Sequence, residues 1–183
     1  MSEVAERHRR LAAGFTARVE AVPSDRWQSP SPCPGWTARD VVDHVAGNCG
    51  RFLGMVGKEP PPAPAVADDP LRAWVSARDA LQAALDDPGV ATLEYEGAFG
   101  TSTLEKAVDG FQSVDLVVHG WDLARATGGN EHIDPETARE LLDHLLPMDG
   151  MLRSPGAMGP KLDPPPGADD QARLLAFLGR RCW

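Results

Sequence analysis

Val114-Asp115-Leu116-Val117-Val118-His119-Gly120-Trp121-Asp122 is the stretch on which the fold turns. It is almost all apolar or small, holds no proline, and reads as one helix. Asp115 and His119 stand four apart and so share a face, one turn from each other. Asp122 falls on the same stripe, with Gln112 beside it. Phe111, Val114, Val118 and Trp121 flank the stripe on one side, Leu116 and Leu123 on the other. The opposite face carries Ser113, Val117, Gly120 and Ala124. A surface helix has the reverse arrangement. The pattern predicts a largely buried helix whose polar stripe faces an internal cavity. A carboxylate and an imidazole there are costly unless something satisfies them. Three readings do so: a divalent ion held by Asp115, His119 and a third ligand such as His44 from another helix; a buried ion pair; or a core histidine bonded to a backbone carbonyl. Spacing alone does not tie His44 to the other two.

Working outward, Val4, Leu11, Phe15 and Val19 recur at helical spacing and predict a helix over 3–22, stopped by Pro23. Residues 24–36 hold three prolines and a glycine and predict a loop. Thr37, with Asp40 three residues on, marks the start of a helix to about Val56. Its apolar face is Val41, Val45, Phe52 and Met55, with His44 at the edge. The Pro/Ala-rich run 58–68 reads as an exposed crossover. A third helix follows over 69–86, then a β-tolerant segment over 89–100 that is a hairpin or an extended loop. The fourth helix runs from about Ser102 to the Gly128-Gly129 stop. A fifth covers 134–146, the Pro/Gly-rich stretch 147–170 winds over the surface, and a short helix closes the chain over 170–180. The expectation is one all-α domain over 1–183, a bundle with one long crossover.

The 183 residues suffice for a real core. A net charge of −9 and a pI near 4.9 disfavour nucleic acid and anionic membrane as partners. No apolar run approaches the roughly 18 residues of a membrane span. With no leader-like N-terminus, the expected location is the cytoplasm. The three cysteines, Cys33, Cys49 and Cys182, form no CxxC pair, which supports neither a zinc knuckle nor a disulfide framework.

Other candidates carry less weight. His8 lies on the apolar side of the first helix and is assigned to the bundle rim rather than to a pocket. His132, His144 and Asp43 are expected at the surface. Arg125, within a turn of Asp122, reads as a salt-bridge partner or, more sharply, as an anion-binding group. Cys33, between two prolines, has nothing adjacent in sequence to lower its pKa.

The run Trp27-Gln28-Ser29-Pro30-Ser31-Pro32-Cys33-Pro34-Gly35-Trp36-Thr37-Ala38-Arg39-Asp40-Val41-Val42-Asp43-His44-Val45-Ala46-Gly47 resembles the opening of the mycothiol-dependent maleylpyruvate isomerase N-terminal-domain family, within the DinB/YfiT-like superfamily. Asp115 to Gly128 resembles that family's second motif, and Arg173 to Arg180 its actinobacterial ending. The resemblance covers nearly the whole chain. It implies a DinB-like four-helix bundle, up-down-down-up with a long crossover, followed by short C-terminal helices. It also implies a metal at one end of the bundle, with His44 and His119 as ligands and Asp115 where the isomerase has glutamate. Zinc is the first expectation, nickel or another first-row metal the next. The function implied is addition or transfer of a low-molecular-weight thiol, mycothiol, to a small electrophile, by an S-transferase or isomerase-like enzyme, with homodimerisation compatible. Arg125 or Arg51 would hold a substrate carboxylate. The isomerase has a second, C-terminal domain at its substrate site, whereas this chain ends at Trp183, so maleylpyruvate isomerisation is not the first reaction expected. Two other readings use the same site: a hydrolase or specialised-metabolism enzyme using water, and a metal-dependent ligand-binding or resistance protein without turnover.

Overall fold

In the computed structural model, residues 2–97, 100–153 and 159–183 are described. They fall into two compact units, Met1–Glu131 and His132–Trp183, where the sequence is read as one domain. Residues 98–99 of the predicted hairpin segment and 154–158 of the predicted surface stretch lie outside the described residues.

The first unit is built on four helices. Helix α1 (Glu3–Glu20) is capped by Ser2, whose hydroxyl accepts from the Ala5 amide. Helix α2 (Ala38–Met55) opens on a complete capping box: the Thr37 hydroxyl accepts from the Asp40 amide, and Asp40 accepts from the Thr37 amide. Helix α3 (Pro70–Asp86) starts on an Asp69 cap with proline in the first turn. A short helical turn, α4 (Pro88–Ala91), follows on Asp87 and takes the start of the segment read as β-tolerant. The hairpin itself is β1 (Glu94–Gly97) against β2 (Gly100–Thr103), antiparallel, with Glu94 opposite Thr103.

The predicted fourth helix is one continuous helical path in three parts. These are α5 (Leu104–Ala107), a π turn over Val108–Gln112, and α6 (Ser113–Thr127). It ends at Gly128, whose φ of 77° is the left-handed C-cap that glycine adopts without cost.

Contacts give the relative directions of the helices. His8 meets Gln82 while Thr16 meets Trp74, so α1 and α3 run antiparallel. Arg7 meets Asp109 while Phe15 and Arg18 lie against Gly120, so α1 and α6 run parallel. His44 meets Asp115 while Cys49 meets Gln112, so α2 is antiparallel to α6. The order is therefore up-down-down-up. Helices α2 and α3 are parallel neighbours, which forces the long connection between them, and α1 contacts α3 and α6 but lies diagonal to α2. The fold is the all-α, DinB-like bundle that the sequence predicts.

The core fills the space between these helices with Phe15, Val41, Val45, Trp74, Leu81, Leu85, Leu104, Leu116 and Leu123, all essentially buried. Burying each such side chain stabilises by roughly 1.5–3 kcal/mol before entropy is counted. Phe15 packs edge-on against Trp74 at 4.8 Å, and the Trp74 indole N–H donates to Thr16 Oγ1 at 2.9 Å. No helix among the described residues is long and apolar enough to cross a membrane.

The second unit pairs α7 (Pro135–Leu145) with α9 (Asp170–Phe177). Between them the stretch read as a surface winding contains a 3-10 turn (Leu146–Met148) and a helical turn, α8 (Asp149–Leu152). Arg153 ties this segment together, donating to Asp149 Oδ1 and to the Phe177 carbonyl.

Candidate metal centre

The site lies between α2, the loop that leads into it, and α6. The capping box fixes where α2 begins, and His44 follows two turns later, with Asn48 one turn beyond. On α6, ten residues from Ser113 to Ala124 are buried, His119 and Asp122 among them, as the inverted polarity of the helix predicts. The described residues show the stripe meeting α2 and the leading loop.

Asp115 stands between the two histidines. Its Oδ2 is 3.6 Å from His44 Nε2 and its Oδ1 is 3.8 Å from His119 Nε2. The two imidazoles meet edge to face at 4.8 Å. The ligand atoms of His44, Asp115 and His119 all lie within 4.8 Å of one another. Ligand atoms on a tetrahedral zinc are about 3.4 Å apart, given bonds of about 2.0–2.2 Å. Two imidazoles and one carboxylate at this spacing are a donor set that fits a divalent first-row ion. The side chains of His44 and Asp115 remain 27% and 21% exposed, which leaves the cluster an open side.

Asp122 supplies the next layer. It is wholly buried, and its Oδ2 lies 2.9 Å from His119 Nδ1. With Nδ1–H donating to the carboxylate, the lone pair of His119 is left on Nε2, the nitrogen that faces Asp115. Cys33 donates from Sγ to the same Asp122 oxygen at 3.3 Å, and lies 3.9 Å from His119 Nδ1. Sequence neighbours leave Cys33 isolated; the fold instead sets it against a carboxylate and an imidazole. Trp36 covers the histidines, its ring 4.8 Å from that of His44 and stacked at 5.8 Å on that of His119.

Asn48 closes the other edge. Its Nδ2 donates to Asp115 Oδ2 at 2.6 Å and lies 3.1 Å from His44 Nε2. Arg51 donates to the Asn48 carbonyl oxygen, which turns the amide nitrogen toward the cluster. Deeper in, Cys49 is fully buried, and burial pushes its thiol up to about 12. It stays protonated and receives a contact from Gln112 Nε2 at 3.4 Å.

Of the two arginines assigned to a substrate, Arg51 thus reaches the cluster through Asn48. Arg125 pairs with Glu131 at 2.8 Å and lies over the Trp121 ring. His132, His144 and Asp43 are exposed, as predicted. His8 is not at the rim. It is 1% exposed, and its Nδ1 meets Gln82 Oε1 at 2.8 Å. Asp122 lies on the ligand stripe as its spacing predicts; Asn48, four residues from His44, was missed although the same helical spacing marks it. Nothing in local spacing marks Trp36.

The geometry defines a four-helix bundle with a histidine–carboxylate–histidine cluster at the α2–α6 seam. The chain belongs to the mycothiol maleylpyruvate isomerase N-terminal domain family, whose model matches residues 8–124. It is also similar to two uncharacterized proteins of Mycobacterium tuberculosis, from strains CDC 1551 and H37Rv. Each is 31% identical over 175 residues, covering 94% of this chain and 95% of the relative. No solved structure matches it.

Proposed function

We propose that the protein is a divalent-metal-dependent enzyme that adds or transfers a low-molecular-weight thiol, mycothiol, to a small electrophile, with His44, Asp115 and His119 holding the ion, zinc first. The observation that carries this reading is the meeting of those three side chains within ligand distance of one another, with His119 oriented by a buried carboxylate. A divalent cation bound there stabilises a thiolate over a thiol, as it stabilises hydroxide over water.

The chain's own residues do the rest. Asp122 keeps the His119 proton on Nδ1 and the Nε2 lone pair toward the cluster. Trp36 covers the histidine rings and limits water on that side. The part-exposed edge at His44 and Asp115 admits the small molecules. Arg51, exposed beside Asn48, offers the cationic group for a substrate carboxylate; Arg125 serves that role only if Glu131 releases it. The same reading keeps the protein in the cytoplasm, without nucleic-acid or membrane partners, and is compatible with a homodimer.

The test has two stages. Metal analysis of the purified protein should find one divalent ion per chain, lost in His119→Ala. Incubation with a bromobimane electrophile and mycothiol should then give the thioether faster than the uncatalysed rate. Absence of stoichiometric metal, with the melting temperature of His119→Ala unchanged, overturns the reading. Displacement of bromide by water, giving the hydroxyl product equally fast with and without thiol, replaces the transferase by a hydrolase, and tight binding without product replaces it by a binding protein.

A further inference from the structure

We infer that the Pro32-Cys33-Pro34-Gly35-Trp36 turn is a positioning clamp for His119, with Cys33 setting the ring's tautomer through Asp122 and Trp36 fixing its plane. The inference deepens the proposed metal site and rests on that reading for its metal arm.

The turn is built to deliver both side chains. Pro34 fixes its own φ, and Gly35 takes a φ of 79°, which a residue with a β-carbon reaches only under strain. The Trp36 amide donates to the Cys33 carbonyl at 3.0 Å, closing the turn. Ser31 braces it from inside: its amide donates to the Trp36 carbonyl at 2.8 Å, and its hydroxyl accepts from the Cys33 amide at 3.2 Å. A bridge between Pro30 and Thr37 then hands the chain directly to the cap of α2. Cys33 and Trp36 are therefore held rigidly relative to the helix that carries His44.

Each touches His119 in a different way. Trp36 lies against the ring face with the two planes 29° apart. Cys33 works at one remove: its S–H and His119 Nδ1–H converge on the same Asp122 oxygen. That carboxylate is fully buried, so it cannot take a water in place of a lost donor without rearrangement. A second donor on Oδ2 holds the carboxylate in the one orientation that receives Nδ1–H. The ligand nitrogen is thus set from a loop 86 residues away in sequence. Groups one layer out from a metal commonly change its affinity by about 10–100-fold.

The experiment uses the full chain and reads two things. The first, on metal-free protein in mildly alkaline buffer, is the His119 tautomer by long-range proton–nitrogen NMR. The second is Zn²⁺ affinity by competition with a chromophoric chelator. Wild type should show the Nδ1–H tautomer alone. Cys33→Ala should show a mixture of tautomers and bind Zn²⁺ about 10-fold more weakly. Cys33→Ser, which keeps a donor, should restore both to within about threefold of wild type. Cys33→Val keeps the volume without the donor and gives the same reading should the alanine variant fail to fold. Wild-type tautomer and affinity in the Ala and Val variants would overturn the inference. So would a Ser variant as impaired as Ala. Because the tautomer is read without metal, failure of the protein to bind Zn²⁺ refutes the metal reading and leaves the clamp to be judged on NMR.

Discussion

Acidification should destabilise this bundle through His8 before any carboxylate takes part. The ring sits in the core with its Nδ1 on Gln82, and its pKa lies below the ordinary value of 6.5. Burial is the main cause, helped by the Arg9 and Arg78 charges and opposed by the Gln82 hydrogen bond and by Asp86. The sign follows. As the pH falls through 6.5, the unfolded chain takes up a proton that the folded chain refuses, so folding loses free energy. The loss grows with further acidification until the folded ring also titrates. One such proton is worth at most about 1.4 kcal/mol per pH unit. Asp40, held low by the Thr37 amide, and Asp149, held low by Lys161, keep their contributions until deeper acid. Urea unfolding of metal-free wild type and His8→Leu, in steps from about pH 8 to about pH 5, isolates the effect in a window above most carboxylate titration. The leucine leaves Gln82 Oε1 without its donor, a cost of about 1 kcal/mol that does not vary with pH. The wild-type minus variant difference should therefore shrink steadily below pH 6.5. Parallel curves, or a wild type that gains on the variant in acid, would refute the assignment of a buried neutral imidazole.

Asp122→Ala should weaken Zn²⁺ binding by about 10–100-fold, read by chelator competition, because His119 loses the carboxylate that orients it. Trp74→Ala should cost about 3–5 kcal/mol in urea unfolding, since it empties a fully buried site and removes one of the two donors to Thr16 Oγ1, leaving that of Arg78. Thr37→Ala should cost about 1 kcal/mol by breaking the capping box of α2, a loss visible in the same measurement. Native protein treated with iodoacetamide should keep Cys49 unmodified while the partly exposed Cys182 reacts; mass spectrometry of peptides reports which thiol is labelled.

The sequence made the bundle readable because its signals are local. Apolar periodicity places α1 and α3, the Thr37–Asp40 box places the start of α2, and Gly128 places the end of α6. The π turn was hidden, since it widens one turn without interrupting the helical run over 104–127. The turn at Pro88 was hidden by the β-tolerant residues after it, although Asp87-Pro88 is itself a helix-start signal. At the site, Asp115, His119 and Asp122 share a stripe by spacing alone, but His44 joins them only through the fold. Cys33 and Trp36 reach His119 from a distant loop, and His8 is buried because its partner Gln82 is 74 residues away. Such pairings leave no periodic trace.

The diagonal placement of α1 and α2 has a consequence for chain connectivity. With α3 and the hairpin threaded between them, α2 and α6 meet only after a long excursion; Asn48 and Asp115 are 67 residues apart. Closing a flexible loop of that length costs roughly 4 kcal/mol of entropy. A cation shared by His44, Asp115 and His119 would act as a staple across that loop, opposing the separation of α6 from α2. Removing the ion would leave that closure to side-chain packing and to bonds such as Asn48 to Asp115.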